Sequence, residues 1–79
     1  MNLFVCSCVL IGNSRMVSTY LVLAENKGAA RKAMRDGEHK VFKIETYGDY
    51  VAEMGWTDLS AEQETDLMGG KPVCLVAGT

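Results

Sequence analysis

The chain has 79 residues, 48% of them hydrophobic and 23% charged, which excludes a disordered segment and leaves room for one small domain spanning 1–79. A chain this short buries only about 60–65% of the surface its unfolded form exposes, so a deep pocket is not expected. The net charge is −2, but residues 1–43 carry seven basic side chains against three acidic ones, whereas residues 44–79 carry Lys71 alone against seven acids.

"LFVCSCVLIG" is apolar on both alternating sets, Leu3, Val5, Val9 and Ile11 on one face and Phe4, Cys6, Cys8 and Leu10 on the other, the pattern of a central strand covered on both sides. "GNSR" at 12–15 supplies turn chemistry, and residues 16–24 read as the strand that returns beside the first. The period then changes. Asn26 predicts an N-cap, Ala29, Ala30, Ala33 and Met34 recur at helical spacing, and Gly37 stands where a left-handed C-terminal residue is expected, giving a helix over about 27–36.

"HKVFKIETYGDYVAEMGW" reads as a second hairpin, with Phe42 and Ile44 on one face, Lys43 and Glu45 on the other, and Gly48-Asp49 at the turn between Tyr47 and Tyr50. A helix over "DYVAEMGW" is the competing reading, short because Gly48 and Gly55 bound it. Ser60 and Gln63 form a capping box for an acidic helix that Gly69-Gly70 and Pro72 stop, and "VCLVAG" closes as a last short strand. The expected fold is α+β: an antiparallel sheet of four or five strands, one main helix on one face and a short acidic C-terminal helix.

Three cysteines are an odd number for a secreted disulfide framework, no apolar run spans a bilayer, and the apolar start has neither a basic leader nor a cleavage site. A cytosolic protein without a membrane partner, monomeric or homodimeric, is expected. Cys6 and Cys8 lie at i, i+2, unlike the gap of zinc knuckles, and a Cys/His site needs Cys74 and His39 to converge on them if the last strand pairs with the first. Small buried hydrophobes are the expected role for all three thiols. With one histidine and "MGGKP" lacking the phosphate-loop spacing, no catalytic residue, metal or cofactor is assigned.

Binding chemistry is what remains. Lys27, Arg31 and Arg35 follow one another at i+4 with Lys32 beside them, a cationic surface suited to phosphate or acidic protein. Trp56, Tyr50 and Tyr47 are candidates for an aromatic contact patch, and Asp58, Glu62, Glu64 and Asp66 for an imitation of a phosphate series. The alternative for each is ordinary core or solvated surface.

At "VFKIETYGDYV" the chain resembles the short phage-encoded anti-CRISPR proteins that inhibit type I-F systems. The resemblance covers residues 16–52 through the order strand, strand, helix with spaced alanines and basic residues, then "KIET", a glycine-containing turn and an aromatic. The acidic helix and final strand after Trp56 are additions to that pattern. The resemblance implies a stoichiometric, non-enzymatic inhibitor in the host cytosol that binds a CRISPR surveillance complex and blocks DNA recognition. The partner is then a protein complex that handles nucleic acid, met by Lys27, Arg31, Lys32, Arg35, Tyr50, Trp56, Asp58 and Glu62. The alternative is a small nucleic-acid-binding accessory protein that uses the basic helix; the acidic total counts against it.

Overall fold

The structure, a computed structural model, describes residues 1–55 and 58–76, apart from the side chains of 13–15 and 76. Strand β1, Asn2–Leu10, and strand β2, Asn13–Ala24, pair antiparallel from Asn2 opposite Ala24 to Leu10 opposite Asn13. The turn is therefore Ile11-Gly12, earlier than the expected 12–15. Gly12 sets that position, since its φ of 92° lies in the left-handed region where a side chain is strained.

Helix α1, Lys27–Asp36, has the expected limits, and the Asn26 side chain accepts the Ala29 N–H at 2.8 Å. Its C-terminus differs from expectation. Gly37 sits at φ −90°, and Glu38 is the residue held left-handed, at φ 63°. The Gly37 and Glu38 amides both donate back into the last turn, to the Met34 and Arg35 carbonyls, so the chain reverses one residue later than the glycine suggests.

Strand β3, His39–Thr46, pairs antiparallel with the other edge of β1, and strand β4, Val73–Val76, pairs antiparallel with β2. The sheet order is β3-β1-β2-β4, which makes β1 and β2 interior. In β3 the register shifts: Val41 lies opposite Cys8 and Lys43 opposite Ser7, leaving Phe42 as an extra residue. The bulge brings Val41 and Ile44, three apart, onto one buried face, while Phe42 is 56% exposed. Phe42 and Ile44 thus do not share a buried face, as simple alternation predicts.

The expected second hairpin is not formed. Residues Tyr47–Met54 are helix α2, and the fifth strand is absent among the described residues. Thr46 caps the helix by accepting the Asp49 N–H at 3.2 Å, and the helix places Tyr50 and Val51 in a core that a hairpin would leave open. Tyr47 and Tyr50 are consequently helical neighbours, with ring centroids 6.4 Å apart and an 18° interplanar angle, and not a cross-strand pair. Helix α3, Ala61–Met68, begins at the anticipated box: Ser60 Oγ accepts the Gln63 N–H at 3.1 Å while Gln63 Oε1 accepts the Ser60 N–H at 2.9 Å.

Two hydrophobic clusters follow from the strand alternation. Phe4, Cys6, Cys8, Val22 and Ala24 pack with Val41 and with Ala30 and Met34 of α1. Val5, Leu21 and Val73 pack with Tyr50 of α2 and Leu67 of α3. Alanine at position 30, fully buried, lets α1 approach the sheet closely, and Met34 fills the space toward its C-terminal end. Truncating Met34 to alanine should leave a cavity and lower unfolding free energy by about 2–5 kcal/mol. Thr46→Ala should remove the α2 cap and cost about 1 kcal/mol. Phe42→Ser, at the exposed bulge, should change stability by less than about 0.5 kcal/mol, all three being read by urea titration.

Candidate functional site

Helix α1 touches β3 most extensively, and the seam between them opens at its C-terminal end into a groove of about 490 Å³. Ile11 of the β1–β2 turn, Arg31 and Arg35 of α1, and His39, Lys40 and Val41 of β3 line it. Each arrives there for a local reason. Arg31 and Arg35 are one helical turn apart on the flank next to the buried Ala30 and Met34 stripe, which turns them toward β3. Lys40 lies opposite Val9 and His39 opposite Leu10, so the start of β3 stands beside the hairpin end.

The groove is held by backbone and side-chain hydrogen bonds. Arg31 Nη1 donates to the Val41 carbonyl at 3.0 Å, tying the helix to the edge strand. The Ile11 N–H donates to the Glu38 carbonyl at 2.8 Å, joining the hairpin turn to the α1–β3 connection. The His39 ring packs against Tyr20, with centroids 4.8 Å apart and a 57° interplanar angle. Among the described residues the one ion pair is Lys43 with Glu45 at 4.0 Å, so Arg31, Arg35 and Lys40 have no carboxylate partner there.

The other residues singled out by sequence are spread more widely. Lys27 and Lys32 are exposed on α1 but do not line the groove. Glu62 is exposed on α3 and Asp58 precedes that helix, both away from α1. Tyr50 is only 7% exposed and belongs to the α2 and α3 side core, because the helix that replaces the expected hairpin turns it inward. It offers no contact surface. Trp56 lies outside the described residues. Sequence reasoning missed Ile11, His39, Lys40 and Val41 as groove residues; an odd aliphatic in a turn and a basic residue at a strand start are weak signals alone. A second, more open hollow at the opposite end of the sheet is lined by Met1, Asn2, Leu3, Phe4, Thr46, Tyr47 and Gly48, none with a charged side chain.

The thiols are placed for packing. Cys6 and Cys8 are fully buried under α1, and Cys8 Sγ donates weakly to the Ser18 carbonyl at 3.6 Å. Strand β4 pairs with β2 and not with β1, so Tyr20 stands between Cys6 and Cys74 in the pairing row. Among the described residues no three His, Cys, Asp or Glu side chains come together as a metal set. Burial pushes the Cys6 thiol up to about 11, with Cys8 adding to the effect and Arg31 opposing it. Burial, then Cys74, raises Cys8 as well, and burial, then Cys74 and Cys8, raises Tyr20.

No protein-family model matches the chain, and comparison with curated proteins and with solved structures likewise yields no match. None of its helices among the described residues is long and apolar enough to cross a membrane.

The thiol placement has a pH consequence. The folded state keeps the Cys6 proton while an unfolded cysteine releases it near pH 9, so this stability is complete below pH 9 and is lost as pH rises toward 11. Denaturation midpoints should therefore fall across that window, and less steeply in Cys6→Ala. Alkylation of the native protein should modify the half-buried Cys74 well before the two buried thiols.

Proposed function

We propose that the chain is a non-enzymatic interaction protein whose α1 surface engages a nucleic-acid-handling protein complex, as the type I-F anti-CRISPR inhibitors that residues 16–52 resemble engage a surveillance complex. The observation that carries the reading is the separation of charge between the helices on the two sheet faces. Helix α1 bears Lys27, Arg31, Lys32 and Arg35 against Asp36 alone, while α2 and α3 bear Asp49, Glu53, Glu62, Glu64 and Asp66 without a cation.

Helix stability accounts for one of these sets better than the other. Glu62 and Glu64 occupy the first turn of α3 and Asp49 that of α2, where acids offset the positive end of the helix dipole. Lys27 opens α1, where a cation is unfavourable by a few tenths of a kcal/mol, and no acid shares that turn. The first-turn acids of α2 and α3 thus have a structural reason for their charge, as does Arg35 in the last turn of α1, whereas Lys27 and the mid-helix Arg31 and Lys32 are better explained by a partner. The burial of Cys6 and Cys8 beneath α1, with Tyr20 half-buried beside them, also suits a scaffold role for all three.

Stoichiometric addition of the protein to a purified type I-F surveillance complex should block its binding to target DNA, with the domain itself binding bare duplex DNA weakly at both low and moderate salt. Arg35→Glu should weaken inhibition about ten-fold or more, and more than Lys27→Glu, because arginine anchors interfaces more strongly than lysine. No effect on the complex, or full potency in a folded Lys27→Glu/Arg35→Glu variant, defeats the proposal. Tight and steeply salt-dependent binding to bare DNA assigns the surface to an accessory nucleic-acid-binding role instead.

A further inference from the structure

Helices α2 and α3 cover their face of the sheet unevenly. Alternation along β1 assigns Val5, Ser7 and Val9 to that face, and the register adds Leu21, Thr19 and Val17 of β2 with Glu45, Lys43 and Lys40 of β3. Tyr50 and Leu67 close over Val5 and Leu21. Toward the β1–β2 turn the cover ends among the described residues: Val17 is 49% exposed, Lys40 and Lys43 are exposed, and neither Val9 nor Val17 joins either hydrophobic cluster. Val9 and Val17, paired across the strands, form the middle of this open half. Lys40, which also borders the α1–β3 groove, stands beside Val9 at its margin, while Lys43 is already paired with Glu45. The helices that close the other half carry the complement. Both bear acids and no cation, and not all of these acids serve their own helix. Glu53 and Asp66 lie in the last turns of α2 and α3, where a negative charge opposes the helix dipole, and no basic residue shares those turns. Each helix also ends in an exposed methionine, Met54 or Met68, a side chain that adapts to a facing surface.

We infer that this open half-face is a dimer interface, covered in solution by the α2 and α3 helices of a second copy of the chain. A two-fold axis lying across the strands, within the helix layer, turns one copy end for end and sets its helices over the open half of the other. The four helices then fill one layer between two sheets. Helix α2 touches β1 and β3 while α3 touches β2 and β4, and this axis keeps each helix over the same strands of the partner copy. Glu53 of one copy is thereby brought to Lys40 of the other, and α3 to the strand that carries Val17. Every such contact occurs twice, as a closed isologous dimer requires, and Val9 and Val17 leave the solvent. A second copy fits better than an unrelated chain because the cationic, apolar half-face and the acidic helices lie on one side of one molecule, where a single rotation matches both. Helix α1 lies on the other side of the sheet and stays free, so the dimer does not depend on the reading of α1 above.

Sedimentation equilibrium of the full chain, with methyl-resolved NMR over the same concentrations, tests the interface. The expected result is a reversible monomer–dimer equilibrium with no larger species, weakened by salt, and concentration-dependent shifts centred on the Val9 and Val17 methyls. Lys40→Glu and Glu53→Lys should each weaken the dimer about ten-fold or more, since each sets like charges together at both copies of the contact. Mixed in equal amounts, the two variants should pair with each other as tightly as the native chain pairs with itself, because both contacts are then restored with reversed sign. Val17→Asp should weaken the dimer as well, with no rescue by either charge variant. Circular dichroism and urea midpoints report whether each variant is folded. Glu25→Lys, between β2 and α1, makes the same charge change as Glu53→Lys and should leave association unaltered. A monomer at concentrations up to about 1 mM overturns the inference and leaves the half-face to a different protein. A dimer indifferent to Lys40→Glu and Val17→Asp, an open-ended polymer, or two weakened charge variants that fail to rescue each other overturn it too.

Discussion

Strand β1 is paired on both edges and buried on both faces, and the remaining elements are arranged to make that possible. Val5 and Cys6 are neighbours in sequence, point to opposite sides of the sheet, and are 2% and 0% exposed. Burying a valine such as Val5 fully is worth about 1.5–3 kcal/mol, which is lost if that face is left open to water. Covering one face takes α1, and covering the other takes α2 and α3. A 79-residue chain thereby builds two small clusters that share β1 and β2, where a single-sided sheet would leave half of β1 solvated.

This constraint also explains where the charges lie. The helices present their outer surfaces to water on opposite sides of the sheet, so an imbalance along the sequence becomes an imbalance between faces. Such an arrangement orients the molecule in the field of a charged partner before contact and raises the fraction of encounters that begin with α1 foremost. The groove beside Arg31 and Arg35 would then be met early in an approach of that kind. The acidic face would be repelled by the anionic partner proposed above, which would favour one docking orientation over its reverse.

Much of this was legible in the residues. The doubly apolar pattern of residues 3–11 identified an interior strand, Asn26 marked the start of α1, and Ser60 with Gln63 marked that of α3, because each is a local signal backed by local geometry. Residues 47–54 misled because Gly48-Asp49 between two tyrosines has hairpin chemistry, whereas the helix is favoured by Tyr50 and Val51 reaching a core assembled from β1, β2 and β4. The bulge at Phe42 was hidden for a similar reason, since its register is fixed by Cys8 and Ser7 on another strand. Of the groove, the arginine pair could be read from helical spacing. Ile11, His39, Lys40 and Val41 could not, as only the pairing of β1 with β3 brings them there.

The strand order has a bearing on how the chain reaches this structure. The β1–β2 hairpin closes through a two-residue turn and can form early, and α1 with β3 adds to it over a modest stretch of chain. The other edge of β2 must wait for Val73–Val76, since Tyr20 pairs with Cys74 from near the far end of the described chain. During that interval Leu21 lacks Val73 beside it, and the backbone donors and acceptors along the β2 edge are unpaired. A β2 edge without these four residues offers an unpaired row of donors and acceptors of the kind that recruits a strand from another chain, so β4 serves to cover that edge as well as to bury Val73.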